Sequence, residues 1–280
     1  MTHVGIKLPS WGTRVRPEAV REVAEAAEAC GFGSVWVSDH VVLPAKGSPL
    51  PPGTTFLDAL ATLSFAAGVT TTVQLATGVL IAPLRDPVPL AAQIASLDVL
   101  SGGRAVLGVG AGWLEGEFSL LERDFADRGK ATDLLLGTLR ECWAPDPVAL
   151  PAGPASVRPK PARGRVPLVV GGHAAPALRR AAAHGDAWYA SGLAPARFAA
   201  TRAKLRALGG AHVATGAKTP VTGPGDLPAA VGAYTAAGAD FVVVELPPDA
   251  GTGDVRRAAA SLGLGDRPPV PLAAETGGAL

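Results

Sequence analysis

Short apolar runs alternate with longer segments of helical period along the chain, and this alternation repeats about eight times. Several runs are almost wholly apolar, such as Leu168-Val169-Val170 and Phe241-Val242-Val243-Val244. Strands without a polar face are typical of a parallel sheet that helices cover on both sides. Eight such units in roughly 250 residues match the usual size of a (β/α)8 barrel, the TIM barrel. A doubly wound open sheet shows the same alternation and remains the alternative interpretation.

The pattern also predicts where the elements and boundaries lie. We expect strands near residues 4–9, 34–38, 73–79, 104–109, 167–171, 186–190, 211–215 and 240–246. We expect helices near 17–30, 55–68, 87–100, 115–142, 174–184, 195–208, 225–237 and 253–262. These elements make one α/β barrel domain over residues 1–262, followed by a C-terminal tail, 263–280. The stretch 144–166, rich in Pro, Gly and Arg, is predicted to be an insertion or a lid loop, because long loops inside a barrel are often functional.

The second predicted helix is apolar nearly all round over residues 56–67. A helix on the outside of a barrel normally keeps one face in water, so the additional apolar face needs a partner. That partner is either a second subunit or a loop of the same chain. We predict a homodimer that buries this helix between its subunits.

Charge and composition exclude several classes of protein. The formal net charge is +1, so the sequence carries no electrostatic footprint for nucleic acid or an anionic membrane. No run of about twenty apolar residues predicts a transmembrane helix, and the first residues lack the features of a signal peptide. Cys30 and Cys142 have no second metal-type ligand nearby, so we expect reduced thiols and no metal site. We therefore expect a cytoplasmic enzyme that acts on a small-molecule substrate.

The second strand ends in an ionisable pair, Ser38-Asp39-His40. In a (β/α)8 barrel, polar groups at the C-terminal ends of strands are the first candidates for chemistry. Histidine exchanges a proton near neutral pH, and a neighbouring carboxylate can hold a ligand or the local geometry. The alternative is an Asp that caps the next turn beside an incidental His.

Glycines mark the ends of three further strands. The run Ala76-Thr77-Gly78-Val79 has a glycine inside a strand, which indicates a bulge or a close approach of the backbone to a ligand. Gly108-Val109-Gly110-Ala111-Gly112-Trp113 allows a flat or anionic ligand to rest against the backbone, although Trp113 replaces the last glycine of a nucleotide-binding fingerprint. Gly171-Gly172-His173 opens a helix whose amides can bind phosphate, or it is a plain tight turn.

Tryptophan side chains are expected to line the substrate pocket at the same end of the barrel: Trp11, Trp113 and Trp188. Trp188 lies within a strand, and its alternative is an ordinary place in the core. Signatures of metal hydrolysis and acyl transfer, such as HExxH and GxSxG, are absent from the sequence.

In order and spacing, eight segments together resemble the luciferase-like monooxygenase superfamily, especially its oxidoreductases that depend on the deazaflavin coenzyme F420. They are Val35-Trp36-Val37-Ser38-Asp39-His40, Pro83-Leu84-Arg85-Asp86-Pro87, Leu97-Asp98-Val99-Leu100-Ser101-Gly102-Gly103-Arg104, Gly108-Val109-Gly110-Ala111-Gly112-Trp113, Glu117-Phe118, Asp127-Arg128-Gly129, Val169-Val170-Gly171-Gly172 and Gly185-Asp186-Ala187-Trp188. The resemblance spans nearly the whole chain.

The resemblance implies a barrel that holds the cofactor ring at its mouth. Asp39 and His40 match the Asp-His pair that contacts the ring, with the His as acid or base. Gly78–Val79 matches a cis peptide bond without proline, in a bulge behind the ring, and we include the preceding Thr77 in the cofactor site. Ala111-Gly112 and Gly171-Gly172-His173 fall where the family holds the ribityl chain and the phosphate.

The function that the resemblance implies is hydride transfer between coenzyme F420 and a small organic substrate. An FMN-dependent monooxygenase of the same fold is the alternative, and a non-catalytic partner subunit is an alternative of another class. Trp113 stands where the sugar-phosphate dehydrogenase branch has a catalytic Glu, so a sugar phosphate is not the expected substrate.

Overall fold

Among the residues that the structure describes, 2–13, 15–265 and Leu272, eight parallel strands close into a barrel surrounded by helices; the structure is a computed structural model. The barrel strands are β1 (His3–Lys7), β2 (Ser34–Val37), β3 (Gln74–Thr77), β4 (Ala105–Gly110), β5 (Leu168–Gly171), β6 (Ala187–Ala190), β7 (Ala214–Val221) and β8 (Phe241–Glu245). The helices are α1 (Pro17–Ala29), α2 (Ala59–Ala67), α3 (Pro87–Leu100), α4 (Glu115–Leu120), α5 (Arg128–Trp143), α6 (Ala175–His184), α7 (Pro195–Ala207), α8 (Leu227–Ala236) and α9 (Thr252–Ser261).

Shorter elements complete the connections. The short strands are Trp11–Gly12 paired with Thr55–Phe56, Leu80–Ile81 beside the end of β4, and Val148–Leu150 paired with Gly153–Ala155. Single turns of 3₁₀ helix lie at Ala82–Leu84, Gly210–His212 and Pro224–Asp226.

The pairing of β4 with β5 closes the sheet. Leu107 pairs with Leu168 and Val109 with Val170, while β8 pairs with β1 in the same parallel sense. Every barrel strand therefore has two neighbours, which a doubly wound open sheet cannot provide. The prediction of a (β/α)8 barrel is confirmed.

Strand alternation divides the apolar residues into an outer and an inner core. Ile6 of β1 and Val244 of β8 pack outwards against the helices. Trp36, Tyr189 and Phe241 point inwards and stack with ring centroids 5.0 to 6.4 Å apart. The three inner rings are almost completely buried, so the middle of the barrel is filled by side chains.

Two predicted helices differ from the structure. The second helix begins at Ala59 and not at 55, because Thr55–Phe56 pairs with Trp11–Gly12 and Asp58 is the N-cap, accepting from Ala61 N at 2.9 Å. The helix predicted over 115–142 is two helices, α4 and α5, separated near Glu122, which has a left-handed φ of 54°. A non-glycine residue in that conformation cannot continue a right-handed helix.

The apolar helix α2 is largely covered by its own chain. Leu63 is fully buried and Leu60 is partly buried against the outer core, whereas Phe65 keeps 45% of its surface exposed. The loop-packing alternative therefore accounts for much of the helix. The homodimer stays a prediction, now centred on Phe65.

The segment 144–166 lies at the N-terminal end of the barrel, because it returns the chain from the end of α5 to the start of β5. Its Lys160 Nζ donates to the carbonyl of Cys142 at 2.9 Å, and its Ala162 N donates to Asp98 Oδ2 at 2.8 Å. These partners lie at the C-terminal ends of α5 and α3, on the side away from the strand ends that carry the predicted site. These contacts fit an insertion, and the lid-loop alternative stays an untested prediction.

Residues 263–280, predicted as a tail, lie outside the described residues except for 263–265 and Leu272. Leu272 packs against the inner core, and its amide donates to Gln74 Oε1 at 2.9 Å at the start of β3. Within the described part of the chain, no helix is long and apolar enough to cross a membrane, and no cluster of potential metal ligands occurs.

Candidate active site

His40 and Glu117 form a hydrogen-bonded pair at the mouth of the barrel. His40 follows β2, and its Nδ1 lies 2.7 Å from Oε2 of Glu117, which belongs to the first turn of α4 and is fully buried. The other carboxylate oxygen accepts from Val41 N at 2.6 Å. A carboxylate beside Nδ1 favours a proton on that nitrogen and leaves Nε2 to exchange a proton with a ligand. Nε2 of His40 has no hydrogen-bond partner among the described residues.

Aromatic rings surround the imidazole. Phe56 contacts His40 edge-on, with centroids 4.8 Å apart, and Trp113 does so at 5.8 Å. Trp11 stacks on Phe56 at 5.6 Å. The predicted pocket residues Trp11 and Trp113 therefore lie in one aromatic wall beside His40, and Trp113 is 58% exposed.

Asp39 is a buried carboxylate that connects two loops. Its Oδ2 accepts from Ile81 N at 2.8 Å, and its Oδ1 accepts from Arg85 at 2.8 Å. Burial raises the pKa of Asp39, and the Arg85 guanidinium opposes that rise. Because both carboxylate oxygens have protein partners, Asp39 positions the chain after β3; its direct contact with a cofactor stays a prediction.

The peptide bond between Gly78 and Val79 is cis, so that prediction is confirmed. Glycine is required at 78 because a Cβ there would lie 2.6 Å from the Trp36 ring. The Thr77 hydroxyl is buried in the barrel wall, where it donates to Gly108 O at 2.7 Å and accepts from Gly108 N at 2.8 Å. Contact of Thr77 with a cofactor therefore stays a prediction.

Val79 occupies the space that side chains would fill on two neighbouring strands. A Cβ on Gly110 would lie 2.7 Å from Val79 Cγ2, and one on Gly171 would lie 2.9 Å from Val79 Cγ1. A Cβ on Gly108 would lie 2.0 Å from the carbonyl oxygen of Thr77. These glycines therefore admit the bulge, and Val79, which is half-buried, presents an apolar surface to the mouth.

Ala111 and Gly112 continue the chain beyond β4 and are both half-buried. Gly112 has a φ of 81°, and a Cβ there would lie 2.7 Å from the Phe118 ring. This close packing under α4 explains the glycine without a ligand, so the role of both residues in cofactor binding stays a prediction.

The start of α6 presents free amides to solvent. Gly172 and His173 are exposed, Gly172 has a φ of 101°, and the N-cap residue Ala174 provides no side-chain hydrogen bond. Trp188 lies behind this turn, donating from Nε1 to Gly172 O at 2.7 Å and stacking on Phe198 of α7. Trp188 is fully buried on the outer side of β6, so its assignment to the substrate pocket is wrong and the core alternative is right.

A second polar group, not predicted from the sequence, lies inside the mouth. Lys7 donates to the hydroxyl of Ser38, and Lys218 forms an ion pair with Glu245. Lys7 ends an apolar strand, which is the same signal that selected Asp39, so the sequence contained a usable indication of it. The sequence contains no such indication for Phe56, because the pairing of Phe56 with Trp11 depends on the path of a long loop.

These features define a barrel with a ligand-binding mouth: a His–Glu pair, an aromatic wall, an apolar bulge and an open helix start. The family model described as luciferase-like monooxygenase matches residues 3–236, from β1 to the end of α8. The chain belongs to this family.

Two curated relatives illustrate its sequence neighbourhood. An uncharacterized protein of Mycobacterium tuberculosis is 31% identical over 187 residues, which are 60% of this chain and 64% of the relative. The chain thus spans less than two thirds of the length of that relative. An F420-dependent glucose-6-phosphate dehydrogenase of Amycolatopsis mediterranei is 36% identical over 138 residues, covering 47% of this chain and 39% of the enzyme.

Solved structures share the fold at low sequence identity. An F420-dependent secondary alcohol dehydrogenase, in complex with an F420–acetone adduct, superposes with a TM-score of 0.76 at 18% identity, covering 93% of this chain and 99% of the other. The F420-dependent tetrahydromethanopterin reductase of Methanopyrus kandleri gives 0.76 at 16% identity, covering 93% and 98%. The monooxygenase RslO1 of Streptomyces bottropensis gives 0.74 at 19% identity, covering 94% and 98%. These likenesses bear on the fold.

Proposed function

We propose that this protein transfers a hydride between coenzyme F420 and a small organic substrate, and that His40 holds or releases the accompanying proton. The observation that carries the proposal is the His40–Glu117 pair, which occupies Nδ1 of His40 and leaves Nε2 without a partner among the described residues, next to the aromatic wall. F420-dependent enzymes among the relatives and structural neighbours support the choice of cofactor.

The residues at the mouth fit a phosphate-bearing cofactor with a flat ring. The exposed amides of Gly172 and His173 would hold the phosphate, since a helix start attracts anions without a charged side chain. The half-buried surface of Val79, raised into the mouth by the bulge, would support one face of the ring. When bound, a deazaflavin supplies a carbon centre that gives or accepts a hydride.

The chain's own residues would then control the proton. Glu117 holds Nδ1 of His40 and stabilises the imidazolium that forms when Nε2 takes a proton. The rings of Phe56 and Trp113 restrict access of water to the imidazole. Asp39 fixes the loop of Ile81 and Arg85 relative to β2, which keeps the bulge and His40 in register.

An FMN-dependent monooxygenase is the second candidate, favoured by the likeness to the monooxygenase RslO1 and by a bulge that suits either ring. Titration of the purified protein with F420 and with FMN separates the two. We expect tighter binding of F420, measured by quenching of tryptophan fluorescence. Equal or reversed affinities would favour the monooxygenase.

The phosphate site is tested by Gly172→Asp, which places a carboxylate against the bound phosphate and should weaken either cofactor. Because Gly172 has a left-handed φ, Gly172→Ala is the control for backbone strain alone. A larger loss of affinity for the Asp variant than for the Ala variant supports the phosphate site. Equal losses would contradict it.

A further inference from the structure

Three charged side chains converge inside the barrel mouth from adjacent strands. Lys7 ends β1, Glu245 ends β8, and Lys218 lies on β7. Side chains alternate across a strand, and the preceding residues on these three strands, Ile6, Val244 and Ala217, pack in the outer core. The three charged residues therefore face the interior, on the side of the barrel away from the Val79 bulge.

The charges of this cluster do not balance. Glu245 forms its ion pair with Lys218, while the ammonium of Lys7 donates to the neutral hydroxyl of Ser38. The described residues place no carboxylate within ion-pair distance of Lys7. The cluster thus contains two lysines and one carboxylate, which is paired with Lys218, so it carries one excess positive charge.

Lys7 is only 7% exposed, which makes this excess charge costly. Burying an ammonium ion without a counter-ion is unfavourable because the ion loses its hydration and the protein offers few interactions in exchange. Burial lowers the pKa of Lys7 to about 8, with Glu245 opposing the change and Lys218 adding to it. An anion in the mouth would compensate both the charge and the lost hydration.

An independent observation places a second free donor in the same region. The hydroxyl of Tyr189, on β6 beside β7, is buried without a hydrogen-bond partner among the described residues, and the residue is 2% exposed. Burial and the Glu245 carboxylate both raise the pKa of Tyr189, so its hydroxyl stays protonated and remains a donor. A buried donor without an acceptor is costly, and an acceptor from a ligand removes that cost.

We propose that Lys7, Lys218 and the Tyr189 hydroxyl form an anion subsite on the floor of the barrel mouth, and that this subsite binds the carboxylate of an organic-acid substrate. The inference rests on the proposed function, since it names the substrate class of the same site. One excess positive charge matches a monoanionic carboxylate better than a phosphate dianion.

The test uses the protein without cofactor, so that its outcome is independent of the F420 assignment. Benzoate and benzamide have nearly the same shape and differ in charge. Calorimetric titration should give benzoate at least about tenfold tighter binding, because a charge-assisted contact to a buried ammonium is worth more than a neutral one. Equal affinities for the two probes would overturn the proposal.

Variants assign the preference to the subsite. Lys7→Met keeps the apolar stem and should abolish the preference for benzoate, while Tyr189→Phe should reduce it several-fold. Lys46→Met, which removes an exposed lysine from the loop after β2, is the matched control and should change nothing. A preference that survives Lys7→Met in a protein with a normal melting transition would overturn the proposal. Failure of F420 binding, by contrast, would contradict the proposed function and leave the benzoate result standing.

Discussion

His40 and Glu117 lie 77 residues apart in the chain, and their contact depends on two loops at the mouth. The carboxylate of Glu117 also accepts hydrogen bonds from the backbone amides of Val41 and Val42, so it fixes both the imidazole of His40 and the backbone that follows it. Glu117 would affect turnover indirectly, because it holds the imidazole of His40 in place. Replacing Glu117 should therefore reduce turnover less than replacing His40 does.

Replacement of His40 tests the assignment of the proton. His40→Ala should reduce kcat by about 10²–10⁴, the usual worth of general acid–base help, and leave cofactor affinity within several-fold of the parent protein. Glu117→Gln should reduce kcat less, with little change in KM. Glu115→Gln, on an exposed position of the same helix, is the control. Normal turnover of His40→Ala in steady-state assays would exclude the assignment.

Lys7 makes stability depend on pH. Its pKa is about 8 in the folded protein and 10.5 when exposed, so between these values the unfolded chain holds a proton that the folded protein has released. The parent protein should therefore gain stability as pH rises through this window, by at most about 1.4 kcal/mol per pH unit.

Lys7→Met removes the buried charge and should be more stable than the parent protein at pH 7, with the difference shrinking towards pH 10. Urea unfolding of both proteins at pH 7, 8 and 9 measures this, and Lys46→Met should follow the parent protein throughout. A constant difference between Lys7→Met and the parent protein over the three pH values would contradict the lowered pKa.

The sequence predicts a site residue where a polar group directly follows an apolar strand. It does not predict contacts between loops that are distant in the chain. Asp39 and His40 were selected because they follow an apolar strand directly. The partners of Asp39 cannot be predicted from this pattern, because Arg85 contacts Asp39 from a loop 46 residues further along the chain. The spacing around Phe56 fits a helical period and therefore predicts a helix, although the residue lies in a short strand.

The bulge after β3 and the glycines of β4 and β5 form one packing unit. Val79 fills the volume in front of Gly110 and Gly171, so each glycine is required by the shape of its neighbour. The glycines of the sequence predict either a bulge or a close approach of a ligand, and at Gly110 and Gly171 the group that approaches is the Val79 side chain. Contact of Gly171 with a cofactor stays a prediction. A glycine pattern indicates close approach without telling which group approaches.

Gly110→Ala should displace Val79, because the added Cβ would lie 2.7 Å from it. We expect a loss of about 1–3 kcal/mol in stability, as for other overpacked sites, together with weaker cofactor binding. Gly137→Ala is the control: this glycine lies in α5 with open space around it, and Ala there should stabilise the protein by about 0.5–1 kcal/mol. Urea unfolding gives both values, and an unchanged Gly110→Ala protein would show that the bulge can yield.

Most barrel strands were predicted within a few residues because each is an apolar run with turn residues around it. The break between α4 and α5 was missed, since 115–142 has no proline and only a left-handed Glu122 marks the interruption. Phe118 of α4 is buried and packs closely against Gly112, and local periodicity contains no information on such a tertiary contact.

For the whole molecule, sequence alternation left a barrel and an open sheet as alternatives, and the β4–β5 pairing separates them. That pairing joins strands on either side of the long 144–166 segment, so no local pattern could have predicted it. The family resemblance, which does not depend on the pairing, favours the barrel.

Assembly is tested at the apolar surface that remains. Phe65 near the end of α2 and Val99 and Leu100 at the end of α3 are exposed, and Arg104 bonds the carbonyls of both helix ends, Ala67 and Ser101. We expect a homodimer in light scattering at micromolar concentration, and Phe65→Glu should convert it to a monomer. Leu208→Glu, at a similarly exposed leucine after α7, is the control. A monomeric parent protein would exclude the interface.

The stacked rings of Trp36, Tyr189 and Phe241 leave no passage along the barrel axis. The proposed cofactor and substrate would therefore both enter and leave at the mouth. If the proposed anion subsite is occupied beneath the cofactor ring, the substrate would have to bind before the cofactor and leave after it. Steady-state kinetics should accordingly follow a compulsory order, and the outer ligand, added in excess, should slow the escape of the inner one.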